Sequence, residues 1–184
     1  MIQTLSPEHF ADVISLGNQV HGDGYLDKTS LAALYQKGIK DEINANFVAH
    51  QDGKLIGFRL TYAPGNWQTD KWCTPDAWGI EHQRVCYFKC NTVAEPYRGA
   101  GIGGKLLSAS ISATKRQGAI AGISHLWKQS PNNSAVKYFT KAGAMLIKEH
   151  PDRWNDTKEH PDYICVICGA DCHCTACEML LIFK

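Results

Sequence analysis

The sequence predicts a single mixed α/β domain. Three observations carry that expectation. Runs rich in aromatic and β-branched residues alternate with amphipathic helical stretches, a glycine-dense segment joins one such run to one such helix, and the 184 residues are 44% hydrophobic. A chain of that size and content buries most of the surface its unfolded form exposes, so one core suffices.

Met1 to Leu5 reads as a short strand. Ser6-Pro7-Glu8 then supplies an N-cap, a first-turn proline and an early acid, opening a helix with Phe10, Val13, Ile14 and Leu16 on one face. A second helix is expected from Thr29 or Ser30 to Lys37, with Leu31, Leu34 and Tyr35 inward and Gly38 as its stop. Phe47 to His50 and Leu55 to Phe58 flank Asp52-Gly53, a dipeptide suited to a tight hairpin turn. Pro64 to His82 has no period and reads as a long loop, a wall against which a substrate can lie. Trp67, Trp72 and Trp78 either line a pocket there or pin the loop. Arg84 to Val93 is a strand, Tyr97 to Gly104 the glycine segment, and a helix follows to Gln117 with Gly118 as its stop. Ile120 to Trp127 makes a strand, Asn133 to Lys141 a helix, Ala144 to His150 a strand, and Met179 to Phe183 the last strand.

Charge excludes some functions. Nineteen Lys and Arg against 18 Asp and Glu leave a formal +1, without a basic block, so nucleic acid is not the expected partner. The N-terminus has no positive region before an apolar run, and no stretch of about 18 apolar residues occurs, so no membrane association is expected and the expected location is cytoplasmic. Eight cysteines in such a chain are expected to be reduced thiols, and their clustering from Cys165 to Cys177 points to metal.

Arg98-Gly99-Ala100-Gly101-Ile102-Gly103-Gly104 puts four glycines in six positions between strand and helix. Lacking Cβ atoms, such a loop turns sharply and aims successive N–H groups at one anion, while the helix beginning near Gly103 adds its positive end. A phosphate or pyrophosphate is the expected guest. A nucleotide P-loop would need Ser or Thr after Gly104-Lys105, where Leu106 stands, and no clean dinucleotide fingerprint occurs.

The segment Arg98 to Gly103 resembles the acetyl-CoA loop R/Q-x-x-G-x-G/A of the GNAT superfamily of N-acetyltransferases. Val93-Ala94-Glu95-Pro96-Tyr97 is similar to the family's preceding V-x-P-x-Y, with the proline displaced by one position. Asn132 to Gly143 resembles its N-x-x-A-x-x-[L/F]-Y-x-K-x-G helix. The resemblance, which covers roughly Phe47 to His150, the first helices loosely and the cysteine-rich tail hardly at all, implies a mixed, mostly antiparallel sheet flanked by helices; the domain is expected over residues 1–162, with 163–184 adding a cysteine-rich segment and the final strand. It implies that Arg84–Val93 and Ile120–Trp127 splay to admit the cofactor. Acetyl-CoA would then meet Val93, Ala94, Arg98, Gly99, Ala100, Gly101, Ile102, Gly103, Gly104, Asn132 and Phe139. The acceptor implied is a small-molecule amine or a peptide or protein amine; oligomeric state is not legible.

The resemblance also implies direct attack of the amine on the thioester, with a backbone N–H near Val93 holding the oxyanion. With a lysine-like pKa of about 10.4, deprotonating the amine at pH 7 costs roughly 4–5 kcal/mol, so a base is expected. Glu81 and His82, just before the central strand, are the candidates, with Asp70 and Asp76 as groups for a cationic substrate; Lys89 and Cys90 read as structural. The family's usual acid, a tyrosine, belongs at Phe139, which has no hydroxyl; Tyr138 is its neighbour, about 100° away on an ideal helix. A non-catalytic acyl-CoA-binding or partner-binding protein of the same fold is the alternative.

Cys165-x-x-Cys168-Gly169 has the shape of a metal knuckle, two thiolates on a tight turn. Cys172 and Cys174 complete a structural zinc site, with Cys177 or His173 as substitutes.

Overall fold

The computed structural model describes residues 1–155 and 164–184; the boundary expected between 162 and 163 lies outside them. In chain order the elements are β1 (Ile2–Thr4), α1 (Phe10–His21), α2 (Lys28–Lys37), β2 (Ile39–Lys40), β3 (Ile43–Asn44), β4 (Phe47–Gln51) and β5 (Lys54–Tyr62). There follow β6 (Val85–Val93), α3 (Ile102–Arg116), β7 (Ala121–Trp127), α4 (Ser134–Lys141), β8 (Met145–His150) and β9 (Ala176–Ile182). Seven strands form one sheet in the order β1-β4-β5-β6-β7-β9-β8, antiparallel throughout except for β6 and β7.

Local chemistry explains most boundaries. Pro7 to His9 forms a single 3₁₀ turn ahead of α1, and the Ser6 N–H donates to His9 Nδ1 at 3.0 Å. At α2, Asp27 is the cap, accepting from the Ser30 N–H at 2.7 Å while the Ser30 hydroxyl accepts from the Asp27 N–H at 2.9 Å. Ser30 is thus the return arm of a capping box, and the helix starts earlier than expected. Asp52 and Gly53 both take positive φ, 51° and 75°, as the hairpin requires. A small hairpin of β2 and β3 was not expected: its turn residues, Asp41 and Glu42, adopt positive φ without a glycine to announce it.

The core has two faces. Cys86, Phe88, Leu107, Phe139, Met179 and Leu181 pack on the side of α3 and α4, whereas Leu16, Leu31, Phe58 and Leu60 pack on the side of α1 and α2. The long loop after β5 is pinned by its tryptophans. Trp67 Nε1 donates to Val85 O at 2.9 Å, and Trp78 Nε1 donates to the fully buried Glu178 at 2.9 Å. Glu178 also accepts from the Thr74 N–H and hydroxyl, each at 2.8 Å, and pairs with His150 at 3.0 Å. Burial pushes its carboxyl pKa up, yet these donors outweigh that and hold it below the usual carboxylate range.

The last strand begins earlier than expected, at Ala176, and runs between β7 and β8 as an interior strand. Trp127 and His150 are both partners of Ala176, so the segment between β8 and β9 leaves and rejoins the sheet at the C-terminal end of β7.

Candidate active site

Strands β6 and β7 are paired only at Val85–Ala121, Cys86–Gly122 and Tyr87–Ile123. Beyond that they part as the resemblance implied, and the Ser124 hydroxyl donates across the first gap to Phe88 O at 2.8 Å. A cleft of about 1910 Å³ opens there, walled by both strands, the glycine loop, α4 and the α1–α2 connection. Register along β5 and β6 slips between Leu60–Cys90 and Thr61–Phe88, which leaves Lys89 as a bulge residue at the parting point.

Two side chains meet at the base of the cleft. His125 Nε2 lies 2.6 Å from Trp72 O, a pure acceptor, so the proton resides on Nε2. Nδ1, 3.0 Å from the Tyr87 hydroxyl, is therefore the acceptor, and Tyr87 donates to it. Burial, followed by the charge of Arg153, lowers the His125 pKa to about 4, so the ring is neutral at pH 7. Burial likewise pushes the Tyr87 phenol up to about 12.

The glycine loop behaves as its sequence demands. Gly99 and Gly101 have φ of 81° and 78°, and Gly101 caps α3 in the left-handed conformation. Side chains built at Gly99, Gly101 or Gly104 would meet nothing within 4 Å, so the loop borders open space. The first N–H groups of α3 have no intrahelical partner, and Ile102, Gly103 and Gly104 that carry them line the cleft. Val93, Arg98, Gly99, Gly101, Ile102, Gly103, Gly104 and Asn132 line the cleft, whereas Ala94 and Ala100 do not. Arg98 Nε donates to Val93 O at 3.1 Å, tying the loop to the end of β6. The Ala94 N–H bonds Ile56 O at 2.8 Å, toward β5, so strand alternation turns the Val93 N–H to the open side. Asn91 lines the cleft, and its buried Oδ1 has no partner.

Helix α4 corrects the expectation at its two aromatic residues. Asn132 and Asn133 take positive φ of 55° and 53°, so α4 starts only at Ser134. Phe139 is fully buried and packs edge-on against Phe88 at 5.7 Å; it is part of the core and not of the cleft wall. Tyr138 lines the cleft instead, accepting from Arg59 Nη1 at 2.8 Å and so keeping its own proton free to donate. The one-residue offset does not hold the hydroxyl away.

Glu81 and His82 are not brought to the cleft. They precede β6 at its paired end, Glu81 exposed and His82 packed edge-on against Trp67 at 4.4 Å, with burial lowering the His82 pKa. Asp76 lies on an exposed turn, and Asp70 pairs with Arg153 at 3.5 Å. Tyr87 and His125, the groups sequence reasoning missed, carry no motif. Each reads locally as one more residue of a buried strand.

Cys165, Cys168, Cys172 and Cys174 bring their sulfurs within 4.8 Å of one another, and all eight cysteines are free thiols. Cys174 Sγ lies 3.9 Å from Cys165 and 3.5 Å from Cys168. A tetrahedral zinc with Zn–S of about 2.3 Å would space its sulfurs about 3.8 Å apart. Cys165 and Gly169 exchange backbone bonds at 3.0 and 2.9 Å, closing the turn, with Gly169 at φ 75°. Burial pushes the Cys165 thiol up, but the N–H groups of Cys168 and Ile167 outweigh it and hold it below the ordinary value. Cys172 is raised by burial to about 11 despite the opposing Cys174 N–H, and Cys174 is also raised by burial. Cys177 lies within β9 and His173 is exposed, bonded to Asp152 and Asp171, so neither joins the cluster. Cys165 and Cys172 also form part of the cleft wall.

Among the described residues no helix is long and apolar enough to cross a membrane. The family model described as Acetyltransferase (GNAT) family matches residues 11–144. No curated protein matches the chain by sequence. Among solved structures, the ribosomal-protein-S18-alanine N-acetyltransferase of Escherichia coli is 15% identical at TM-score 0.68, covering 100% of this chain and 94% of its own. The yncA protein of Salmonella typhimurium, solved with its cofactor acetyl-CoA, is 17% identical at TM-score 0.69, with coverage of 100% and 94%. Naa50 of Arabidopsis thaliana, in complex with the bisubstrate analogue CoA-Ac-MVNAL, is 16% identical at TM-score 0.65, with coverage of 100% and 98%.

Proposed function

The chain belongs to the GNAT acetyltransferase family, and from that premise we propose that it transfers an acetyl group from acetyl-CoA to an amine by direct attack on the thioester. The observation that carries this reading is the parting of β6 and β7 with a neutral imidazole and a phenol at its base. The residues fit the cofactor: the glycine loop leaves room for a ligand against its backbone, and Asn91 Oδ1 is a buried acceptor awaiting a donor.

In this reading the open N–H groups at the start of α3 hold the pyrophosphate, and Arg98 braces their loop. Acetyl-CoA supplies the activated acetyl group. Tyr87 and His125 act as a relay: the phenol oxygen takes a proton from the amine while its own proton passes to His125 Nδ1. The Val93 N–H is the donor for charge on the carbonyl oxygen. Tyr138, oriented by Arg59, gives its proton to the departing thiolate. The non-catalytic reading leaned on the missing hydroxyl at Phe139, and Tyr138 in the cleft removes that support. Thiol release from acetyl-CoA with a panel of amines tests the proposal. Binding of acetyl-CoA without release to any amine would refute it.

A structural zinc held by Cys165, Cys168, Cys172 and Cys174 is the second part of the proposal, supported by the sulfur spacing and the N–H groups around Cys165. Elemental analysis should find about one zinc per chain. Metal-free protein with an unchanged fold and melting temperature would end it.

A further inference from the structure

Among the described residues, the acceptor side of the cleft gathers two cations, Lys89 and Arg153, against one paired carboxylate, Asp70. Lys89, on the β6 bulge, has surface open to the cleft, and among the described residues no hydrogen bond or ion pair reaches its ammonium. Lys89 is solvent-exposed, and desolvation, with the charge of Arg153 next, lowers its pKa from the usual lysine value. Arg153 lines the same cleft and is mostly buried, its side chain only 13% exposed. Its Nη1 lies 3.5 Å from Asp70 Oδ2 but makes no hydrogen bond, while Nη2 is 3.5 Å from the Tyr87 hydroxyl. Asp70 is the one carboxylate paired with either cation among the described residues, and it is also committed to the Trp72 N–H at 2.9 Å. Asp70 does not line the cleft; of the acids that do, Asp27 caps α2, and Glu95 is exposed beside the glycine loop.

A buried cation with unspent donors is costly unless an anion arrives to share it. We propose, resting on the acetyl-transfer reading, that the acceptor is a small amine bearing a carboxylate beside its amino group, an amino-acid-type substrate, whose carboxylate is received by Arg153 and Lys89. The geometry orders the two groups. An amine delivered to the Tyr87 hydroxyl has the Arg153 guanidinium directly adjacent, so a carboxylate one carbon away meets it without further reach. The same cations favour the neutral form of the incoming amine, which is the reactive one, and repel an acceptor carrying a second ammonium. Transfer is balanced by the groups present: the N–C bond forms, the C–S bond breaks, the amine proton goes to the Tyr87–His125 pair and the thiolate takes the Tyr138 proton.

The test uses the intact protein at saturating acetyl-CoA with acceptors matched in side chain: the amino acid, its carboxamide and its decarboxylated amine. Values of kcat/KM at least tenfold higher for the amino acids are expected. Lys89→Met and Arg153→Gln should each narrow that ratio to about threefold or less, chiefly through KM. Lys89→Met removes no hydrogen bond or ion pair among the described residues, so it serves even where Arg153→Gln disturbs the fold. Equal or better use of the carboxamide or the amine by the native protein overturns this proposal while leaving acetyl transfer intact. Failure to release thiol with every acceptor, despite bound acetyl-CoA, overturns both.

Discussion

The cleft and the cysteine knuckle are built on the same device and use it in opposite ways. Each has a turn with glycine at positive φ, Gly99 and Gly101 in one and Gly169 in the other, and each turns backbone N–H groups toward a negative guest. In the knuckle the anion is part of the chain: the N–H groups of Cys168 and Ile167 already point at the Cys165 sulfur. At the glycine loop the facing space is open, and in the proposed reading the anion that fills it belongs to a ligand. A site whose guest is external must be preformed and can fail without unfolding. A site whose ligands are internal lacks only the cation, and losing that cation leaves thiols crowded in a small buried cluster.

That contrast can be broken by substitution, and the largest effect is expected at the relay. His125→Ala should lower kcat/KM by roughly 10²–10⁴ while acetyl-CoA affinity stays unchanged, read by steady-state kinetics beside calorimetry. A fall of less than threefold would remove His125 from the chemistry. Cys172→Ser should do the reverse: zinc content drops, and stability falls by about 3 kcal/mol, or roughly 6–12 °C in Tm for a chain of this size, in a thermal melt. An unchanged Tm would show that the knuckle does not hold the fold.

The pH dependence of stability also belongs to the cleft. Burial, then Arg98 and Lys89, lowers the His21 pKa to about 4, and His125 stands at about the same value. In the unfolded chain both rings take up protons near pH 6.5. Between about pH 6.5 and 4 the unfolded state therefore binds more protons, so stability is retained above 6.5 and lost as pH falls toward 4. The loss approaches 3 kcal/mol per histidine on the order-of-magnitude scale. Denaturant unfolding at several pH values should flatten over this window in His21→Gln and His125→Gln, and an unchanged slope would contradict the assignment.

Gly101→Val should raise the dissociation constant for acetyl-CoA by about 10- to 100-fold, because a β-branched residue is strained at φ 78° and fills the ligand's side of the loop. Calorimetry on a folded variant decides it, and unchanged affinity would put the pyrophosphate elsewhere. The smallest effect is expected for Tyr138→Phe, about a tenfold loss in kcat. It is small because water can protonate a thiolate, and the Arg59 guanidinium remains nearby. A loss of three orders of magnitude with intact binding would make Tyr138 indispensable.

Features set by neighbours in the chain were legible in the sequence. The Asp52-Gly53 turn, the glycine loop and the Cys-x-x-Cys-Gly turn are fixed by backbone angles and side chains a few residues apart, so spacing alone locates them. The succession of strands and helices follows from periodicity, and the parting of β6 from β7 from the resemblance that the glycine loop and the α4 motif carry. The sequence could not show which aromatic of α4 lines the cleft, because that is decided by the packing of Phe139 against Phe88 in the core. Nor could it point to the Tyr87–His125 pair proposed as the base. Glu81 and His82 stand out as polar residues beside a strand, yet the parallel pairing that begins at Val85 puts them at the closed end. Tyr87 and His125 are 38 positions apart, and Arg153 is 66 from Tyr87. Sequence determined the elements and the glycine loop proposed to receive the cofactor. Only the tertiary structure decided the chemistry, since sheet register and strand alternation choose which side chains from distant strands share one cleft.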